Sequence, residues 1–332
     1  MHKSLGNVVD PVEIANKLGG EIVRLWVASI DFREDVRSSD ELMQRVAENY
    51  RKLRNTFRNM LANLSDFDPR QNQVEWQRMR PLDRYLLLRT AELTEEVRAE
   101  YERFEFHRIY HRLLEFCAVE LSAFYFDALK DRLYTWAPDS IGRRSAQTAL
   151  WRIAEALARL LAPVMSFTAD EVWSFLPAFK ETESVHLALF PSADELAPSQ
   201  ARADKTFLDE WSSLLRIREQ VLKALEEARQ AKTIGSSLEA EVTLSLPAAD
   251  LRIAERNAEG LRELFIVSGV QLRPAAEGNG NSPTTVEVQH AAGRKCDRCW
   301  NYSSHVGEDS LYPTVCERCS KVLAEIGAAA EA

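Results

Sequence analysis

The chain has 332 residues, 45% hydrophobic and 28% charged, which accommodates two or three globular domains and a sizeable core. Its formal net charge of −9 excludes indiscriminate nucleic-acid binding, so any RNA contact must come from a local basic face. No apolar run approaches the ~18 residues of a membrane span and no signal-peptide pattern is present, which points away from membranes and to the cytoplasm.

The first stretch, "MHKSLGNVVDP", has the chemistry of a phosphate-handling loop. Lys3 is a compact cation, Ser4 offers a hydroxyl, and Gly6 lets backbone approach a ligand closely. A plain surface turn is the other reading of the same residues. Asp10 then predicts a helix N-cap, with Pro11 at the first helical position and Glu13 completing a capping trio. That helix should stop at Gly19 or Gly20. The amphipathic "EIVRLWVASI" follows, and Ser38 and Glu41 stand at capping-box spacing before the next helix.

Leu42, Val46, Tyr50, Leu53, Phe57, Met60 and Leu64 form one stripe of a long helix. On the same helix Arg51, Arg54 and Arg58 cluster within about 60° of one another, away from that stripe. Such a row suits a phosphate backbone, or it is a solvated face salt-bridged to nearby acids. Further helical patterns run through "LDRYLLLRTAELTEEVRAEYERF", "FHRIYHRLLEFCAVELSAFYFDALKDRLY" and "AQTALWRIAEALARLLAPVMSF". Thr168 and Glu171 are spaced to cap "ADEVWSFLP". The pattern predicts a helical bundle from about residue 36 to 190. After "FPSADELAPSQA" one more helix reaches about Lys232, and strand-like pieces follow at "EVTLSL", "LFIVSGV" and "TTVEV". The expected class is mainly α, a bundle followed by a small α/β unit.

"CDRCWNYSSHVGEDSLYPTVCERC" places Cys296, Cys299, Cys316 and Cys319 as two CxxC pairs separated by 16 residues. Each turn presents two thiolates to one ion and two turns complete a tetrahedron, so the spacing predicts one structural Zn2+ rather than redox thiols. With four thiolates no position is open for a catalytic water. His305 reads as a surface residue and Cys117 as an ordinary core residue. Trp300, directly after the second cysteine, either stacks on an unpaired base, or shields the metal or packs on the neighbouring unit. No GxxxxGK[ST] loop, HExxH helix or GxSxG elbow occurs.

Taken together, several stretches resemble a known family. "MHKSLGNVVDP" is similar to the KMSKS loop of class I aminoacyl-tRNA synthetases. "EIVRLWVASIDFREDVRSSDEL", "YRKLRNTFRNMLANLSDFDP", "TIGSSLEAEVTL" and "CDRCWNYSS…CERC" resemble the C-terminal half of bacterial isoleucyl-tRNA synthetase. The resemblance implies four regions: the KMSKS loop and end of the catalytic domain (1–35), a helical anticodon-binding domain (36–192), a small α/β junction unit (197–290) and a zinc module (291–325). It implies that Lys3 is catalytic, stabilising the phosphates of ATP with Ser4 beside it, and that His2 has no assigned role. It also implies that Cys296, Cys299, Cys316 and Cys319 hold zinc, and that Trp300, Arg51, Arg54 and Arg58 face tRNA.

The implied partners are isoleucine-specific tRNA and, with the catalytic half, isoleucine and ATP with Mg2+; the implied state is a monomer. The HIGH motif and the editing domain have no counterpart in the sequence, so the resemblance implies a fragment of a ligase. The rival readings are a standalone zinc-containing tRNA-binding protein, a fragment of valyl-tRNA or another class I synthetase, and a protein with a DNA-glycosylase-like zinc finger. The CxRCW ending favours the isoleucyl family over its class I relatives.

Overall fold

The structure, a computed structural model, describes residues 10–36, 38–177, 182–275 and 283–330. Lys3 and Ser4 lie outside the described residues. Apolar side chains recurring every three or four residues dictate helices through the first two hundred residues. These are α1 (Pro11–Leu18), α2 (Gly20–Ala28), α3 (Asp40–Ala62), α4 (Pro81–Glu102), α5 (Phe106–Glu115), α6 (Phe126–Thr135), α7 (Ile141–Leu161), α8 (Ser166–Phe175) and the short α9 (Ala193–Leu196) and α10 (Ser199–Arg202). Phe116–Tyr125, between α5 and α6, is wound as a π-helix, which the periodicity does not reveal.

The first helix starts as its residues predict. Asp10 Oδ1 accepts from the Val12 N–H at 2.8 Å and Pro11 takes the first helical position. Two later starts differ from expectation. α3 is capped by Ser39 rather than Ser38, its Oγ accepting from the Leu42 N–H at 3.2 Å. α8 begins at Ser166, two residues ahead of the expected cap Thr168. Its exposed donors are met from α2: the buried Glu21 carboxylate accepts from the Phe167 and Thr168 N–H groups at 3.3 and 3.4 Å. The Thr168 hydroxyl instead pairs with Tyr50 Oη at 3.1 Å.

The chain forms two compact units. The first comprises Met1–Met79, Leu86–Phe126 and Gln147–Arg202. Here α3 packs on α2, α5, the π-helical stretch and α8. Leu25, Leu53, Phe57, Met60, Phe116 and Leu121 are fully buried among them. Each such side chain contributes about 1.5–3 kcal/mol relative to exposure.

The second unit comprises Arg80–Tyr85, Asp127–Ala146 and Ala203–Ala332. It contains α11 (Lys205–Gln230), β1 (Ala240–Leu246), α12 (Ala248–Arg256), α13 (Ala258–Phe265), β2 (Gly269–Pro274), β3 (Thr285–His290), β4 (Arg294–Lys295), β5 (Tyr302–Ser303) and α14 (Glu317–Ala330). β1 is the central strand of a three-stranded sheet ordered β2-β1-β3, parallel to β2 with Val242 opposite Val270, and antiparallel to β3 with Val242 opposite Val288. Both expected strands "EVTLSL" and "TTVEV" are present, but "LFIVSGV" is not one strand. Leu264 and Phe265 close α13, where with Leu261 they make a buried helical stripe. Ile266 reverses the chain at φ 59°, and β2 starts only at Gly269.

A buried ionic network ties this unit together. The Arg132 guanidinium, 1% exposed, meets Asp83 in a bidentate pair at 2.7 and 2.8 Å, Glu263 at 2.6 Å and the Gly142 carbonyl at 2.9 Å. Ser145 Oγ also donates to Asp83. Burial raises the Glu263 carboxyl above its usual range. The molecule is thus mainly α, with one small mixed sheet and a four-cysteine module.

Candidate zinc centre and nucleic-acid interface

The cysteines are brought together by two tight turns. β4 and β5 pair antiparallel, and Cys296–Cys299 lies in the turn between them. The Cys296 N–H donates to the Asn301 carbonyl and the Trp300 N–H to the Cys296 carbonyl, both at 2.9 Å. The chain enters this hairpin through Gly293, whose φ is +88°. A Cβ there would stand 2.3 Å from the Ser303 backbone, so only glycine fits. Cys316 immediately precedes α14 and Cys319 sits in its first turn.

The four Sγ atoms all lie within 4.8 Å of one another and all four residues are buried. Cys299 and Cys316 sulfurs are 3.7 Å apart. Zinc–sulfur bonds of about 2.3 Å in a tetrahedron require sulfur separations of about 3.8 Å, so the residues fit one Zn2+. Hydrogen bonds from Cys316 and Cys319 lower the Cys299 thiol, and in return the Cys299 sulfur raises Cys319 and pushes Cys316 up to about 11. Four thiolates this close repel one another, a repulsion that a bound cation relieves.

Four thiolates and one Zn2+ leave net negative charge, which the surrounding groups meet. The Cys316 N–H donates to Cys296 Sγ at 3.3 Å, and Arg298 and Arg318 approach Cys319 Sγ at 3.8 and 4.0 Å. Both arginines also reach the α6 end: Arg298 donates to the Thr135 carbonyl and Arg318 to Asp131 Oδ1 at 2.7 Å. Val306, Val315, Tyr312 and Leu323 cover the cluster. His305 is exposed and bonded to Glu308 at 2.9 Å, as a surface residue. Cys117 is a buried core residue whose thiol is pushed up to about 12 by desolvation.

Trp300 is not part of the cover over the sulfurs. It is 60% exposed with φ +63°, and Lys295 Nζ lies 5.3 Å from its ring centroid. A cation beside an open indole is a combination that sequence spacing did not single out.

In the first unit, Arg51, Arg54 and Arg58 project from the exposed face of α3. Arg45 on the same helix pairs with Glu41 at 2.5 Å, but these three have no acidic partner among the described residues. Among the described residues this face is therefore solvated and without salt bridges to these three. Arg54 and Arg58 edge a groove of about 520 Å³ between α3 and α8, which Phe175, Thr168 and Glu171 also line. Phe175 is exposed there and was not evident from the sequence, where it reads as part of an apolar helix end.

Comparison with known proteins gives three family matches. Residues 83–244 match the anticodon-binding domain of tRNA ligase, residues 293–322 a zinc finger found in FPG and IleRS, and residues 1–39 the class I tRNA synthetases (I, L, M and V). Isoleucine–tRNA ligase of Syntrophotalea carbinolica is 47% identical over 98% of this chain and 35% of its own length. Those of Dichelobacter nodosus and Geobacter sulfurreducens are 46% and 47% identical over 96% of this chain and 33% and 34% of theirs. The chain matches the C-terminal third of isoleucine–tRNA ligases.

It spans about a third of the length of these isoleucine–tRNA ligases. All four cysteines fall inside the zinc-finger match. That finger is shared with FPG proteins, and the anticodon-binding match separates this isoleucine–tRNA ligase relative from them. Among solved structures, a LeuRS–tRNA–LeuAMS complex from Agrobacterium radiobacter is 19% identical with a TM-score of 0.44 over 60% of this chain and 23% of that one, too distant to add to the assignment. Among the described residues no helix is long and apolar enough to cross a membrane.

Proposed function

We propose that this chain supplies tRNA binding to isoleucine–tRNA ligase, the activity that joins isoleucine to its tRNA using ATP. The observation that carries the reading is the row of arginines on α3 with no acidic partner among the described residues, in a chain whose neighbouring segment matches an anticodon-binding domain. Guanidinium forks suit phosphate oxygens, and desolvating them costs less when no carboxylate must be released. Trp300 is the candidate base-stacking residue, and Lys3 with Ser4 is the candidate ATP-phosphate contact, with Mg2+ and isoleucine held by the catalytic part of such a ligase. Cys296, Cys299, Cys316 and Cys319 keep Trp300 in place by holding zinc and take no part in the chemistry. The division into 1–35, 36–192, 197–290 and 291–325, the monomeric state and a cytoplasmic location belong to the same proposal.

The test is direct binding of this chain to an isoleucine tRNA transcript across a salt series, with a tRNA for another amino acid alongside. Arg54→Ala and Arg58→Ala should each weaken binding and lower the slope of log K against log salt by about 1. Slopes unchanged from wild type would remove α3 from the interface. The same purified chain should give no isoleucine-dependent ATP–pyrophosphate exchange, and measurable exchange would show that it carries more of the reaction than tRNA binding.

A further inference from the structure

A cavity in the second unit lies apart from both the zinc centre and the α3 groove. Its volume is about 270 Å³, and it is bounded by the start of α4, by Trp211 and Leu214 of α11, and by the α12–α13 corner. Leu82, Leu214, Leu261 and Leu264 make its walls apolar. Trp211 is held in place there, stacked on Tyr85 at 4.6 Å and tilted against Phe207 at 6.2 Å. Such a volume, just below the ~300–1,000 Å³ of drug-sized sites, suits a molecule of one or two rings. Two lining residues, Arg80 and Glu263, keep hydrogen-bonding capacity unused, although their side chains are only 22% and 12% exposed. Glu263 Oε1 accepts from Arg132, but Oε2 has no donor among the described residues, and Arg80 Nε stands 3.9 Å from it, beyond hydrogen-bond reach. The Arg80 guanidinium rests over Trp136, 5.5 Å from the ring centroid, and donates to no acceptor among the described residues. A donor therefore stands beside an acceptor, and a ligand edge carrying the reverse pair completes both.

We propose that this cavity binds a neutral heterocycle of nucleobase size with a lactam edge, a ring N–H next to a carbonyl. The N–H donates to Glu263 Oε2, the carbonyl accepts from the Arg80 guanidinium, and the ring lies against Trp211 and the leucines. The rim argues against a phosphorylated ligand. Glu255 and Glu259 are exposed there, Arg256 is committed to Glu210, and the positive end of α13 already has Glu259 in its first turn. The ligand is thus a free base or nucleoside, and the proposal is independent of the tRNA reading.

The test is isothermal titration calorimetry of the zinc-loaded chain with inosine, uridine, their N-methylated forms 1-methylinosine and 3-methyluridine, and inosine 5′-monophosphate. Saturable one-to-one binding of inosine or uridine is expected, and its absence for both overturns the proposal. Methylation replaces the lactam N–H, so the methylated form of whichever nucleoside binds should be weaker by at least about tenfold. Equal affinity of the two forms overturns the proposal without any change to the protein. Arg80→Met should weaken binding by at least about tenfold as well, through loss of the guanidinium donor. The α4 start survives that change, because it uses the Arg80 carbonyl, which accepts from the Asp83 and Arg84 N–H groups at 3.1 Å. A variant with unchanged circular dichroism and unchanged affinity places the ligand elsewhere and overturns the assignment. Tighter binding of the monophosphate than of inosine makes the cavity a phosphate site, which overturns it too.

Discussion

Arg132 shows at the scale of one residue how a polar group shapes the second unit. Its guanidinium is fully enclosed, so its charge is tolerable only because Asp83, Glu263 and the Gly142 carbonyl meet it from three elements. Arg132→Met removes the cation and leaves the Asp83 carboxylate buried without its guanidinium, which should cost about 3–5 kcal/mol in urea unfolding. Adding Asp83→Asn should recover part of that loss. A loss under about 1 kcal/mol for the single change would mean that water reaches the site. None of this was legible in the sequence, where Arg132 sits in "ALKDRLY" as one more charge on a helix. The two CxxC pairs were legible, because two intervening residues fix a turn that converges two sulfurs wherever the chain goes next. Lys295, Arg298 and Arg318 around them were not, since their roles depend on the tertiary positions of Trp300, Thr135 and Asp131.

Among the elements, helices were read well and helix ends less so. The stripe from Leu42 to Leu64 is long enough for a 3.6-residue period to dominate, and α3 follows it. A short apolar run carries no such signal, so "LFIVSGV" divides between α13 and the approach to β2. The α8 start was misplaced because its capping acceptor, Glu21, is distant in sequence and competes successfully with Thr168. Glu21→Gln should therefore destabilise the first turn of α8 by about 0.5–1 kcal/mol, through loss of charge at a helix N-terminus. Faster amide exchange at Phe167 and Thr168, with no change in α7, is the expected reading. If Thr168→Val has that effect and Glu21→Gln has none, the capping assignment is wrong.

For the whole molecule, zinc does what a small apolar core cannot. The module around the cysteines has Val306, Val315, Tyr312 and Leu323 as its apolar packing, too little to hold a fold without a staple. Chelation should unfold it and expose four thiols to a disulfide reagent, while Cys117, buried with its thiol pushed up to about 12, reacts only when the bundle itself unfolds. Zinc release should become easier as pH falls, because protons compete for the thiolates. Five reactive thiols straight after chelation would contradict this separation. The arginines of α3, which have no acidic partner among the described residues, have a further consequence, in the kinetics of encounter. They sit on a chain whose formal net charge is −9, so at about 0.01 M salt, where charges are felt over about 30 Å, an approaching polyanion meets the repulsion of the whole chain. At about 0.15 M salt the field reaches only about 8 Å, and each face is felt separately. Moderate salt then speeds correctly oriented landing on α3 before higher salt weakens it, so the association rate passes through a maximum instead of falling steadily.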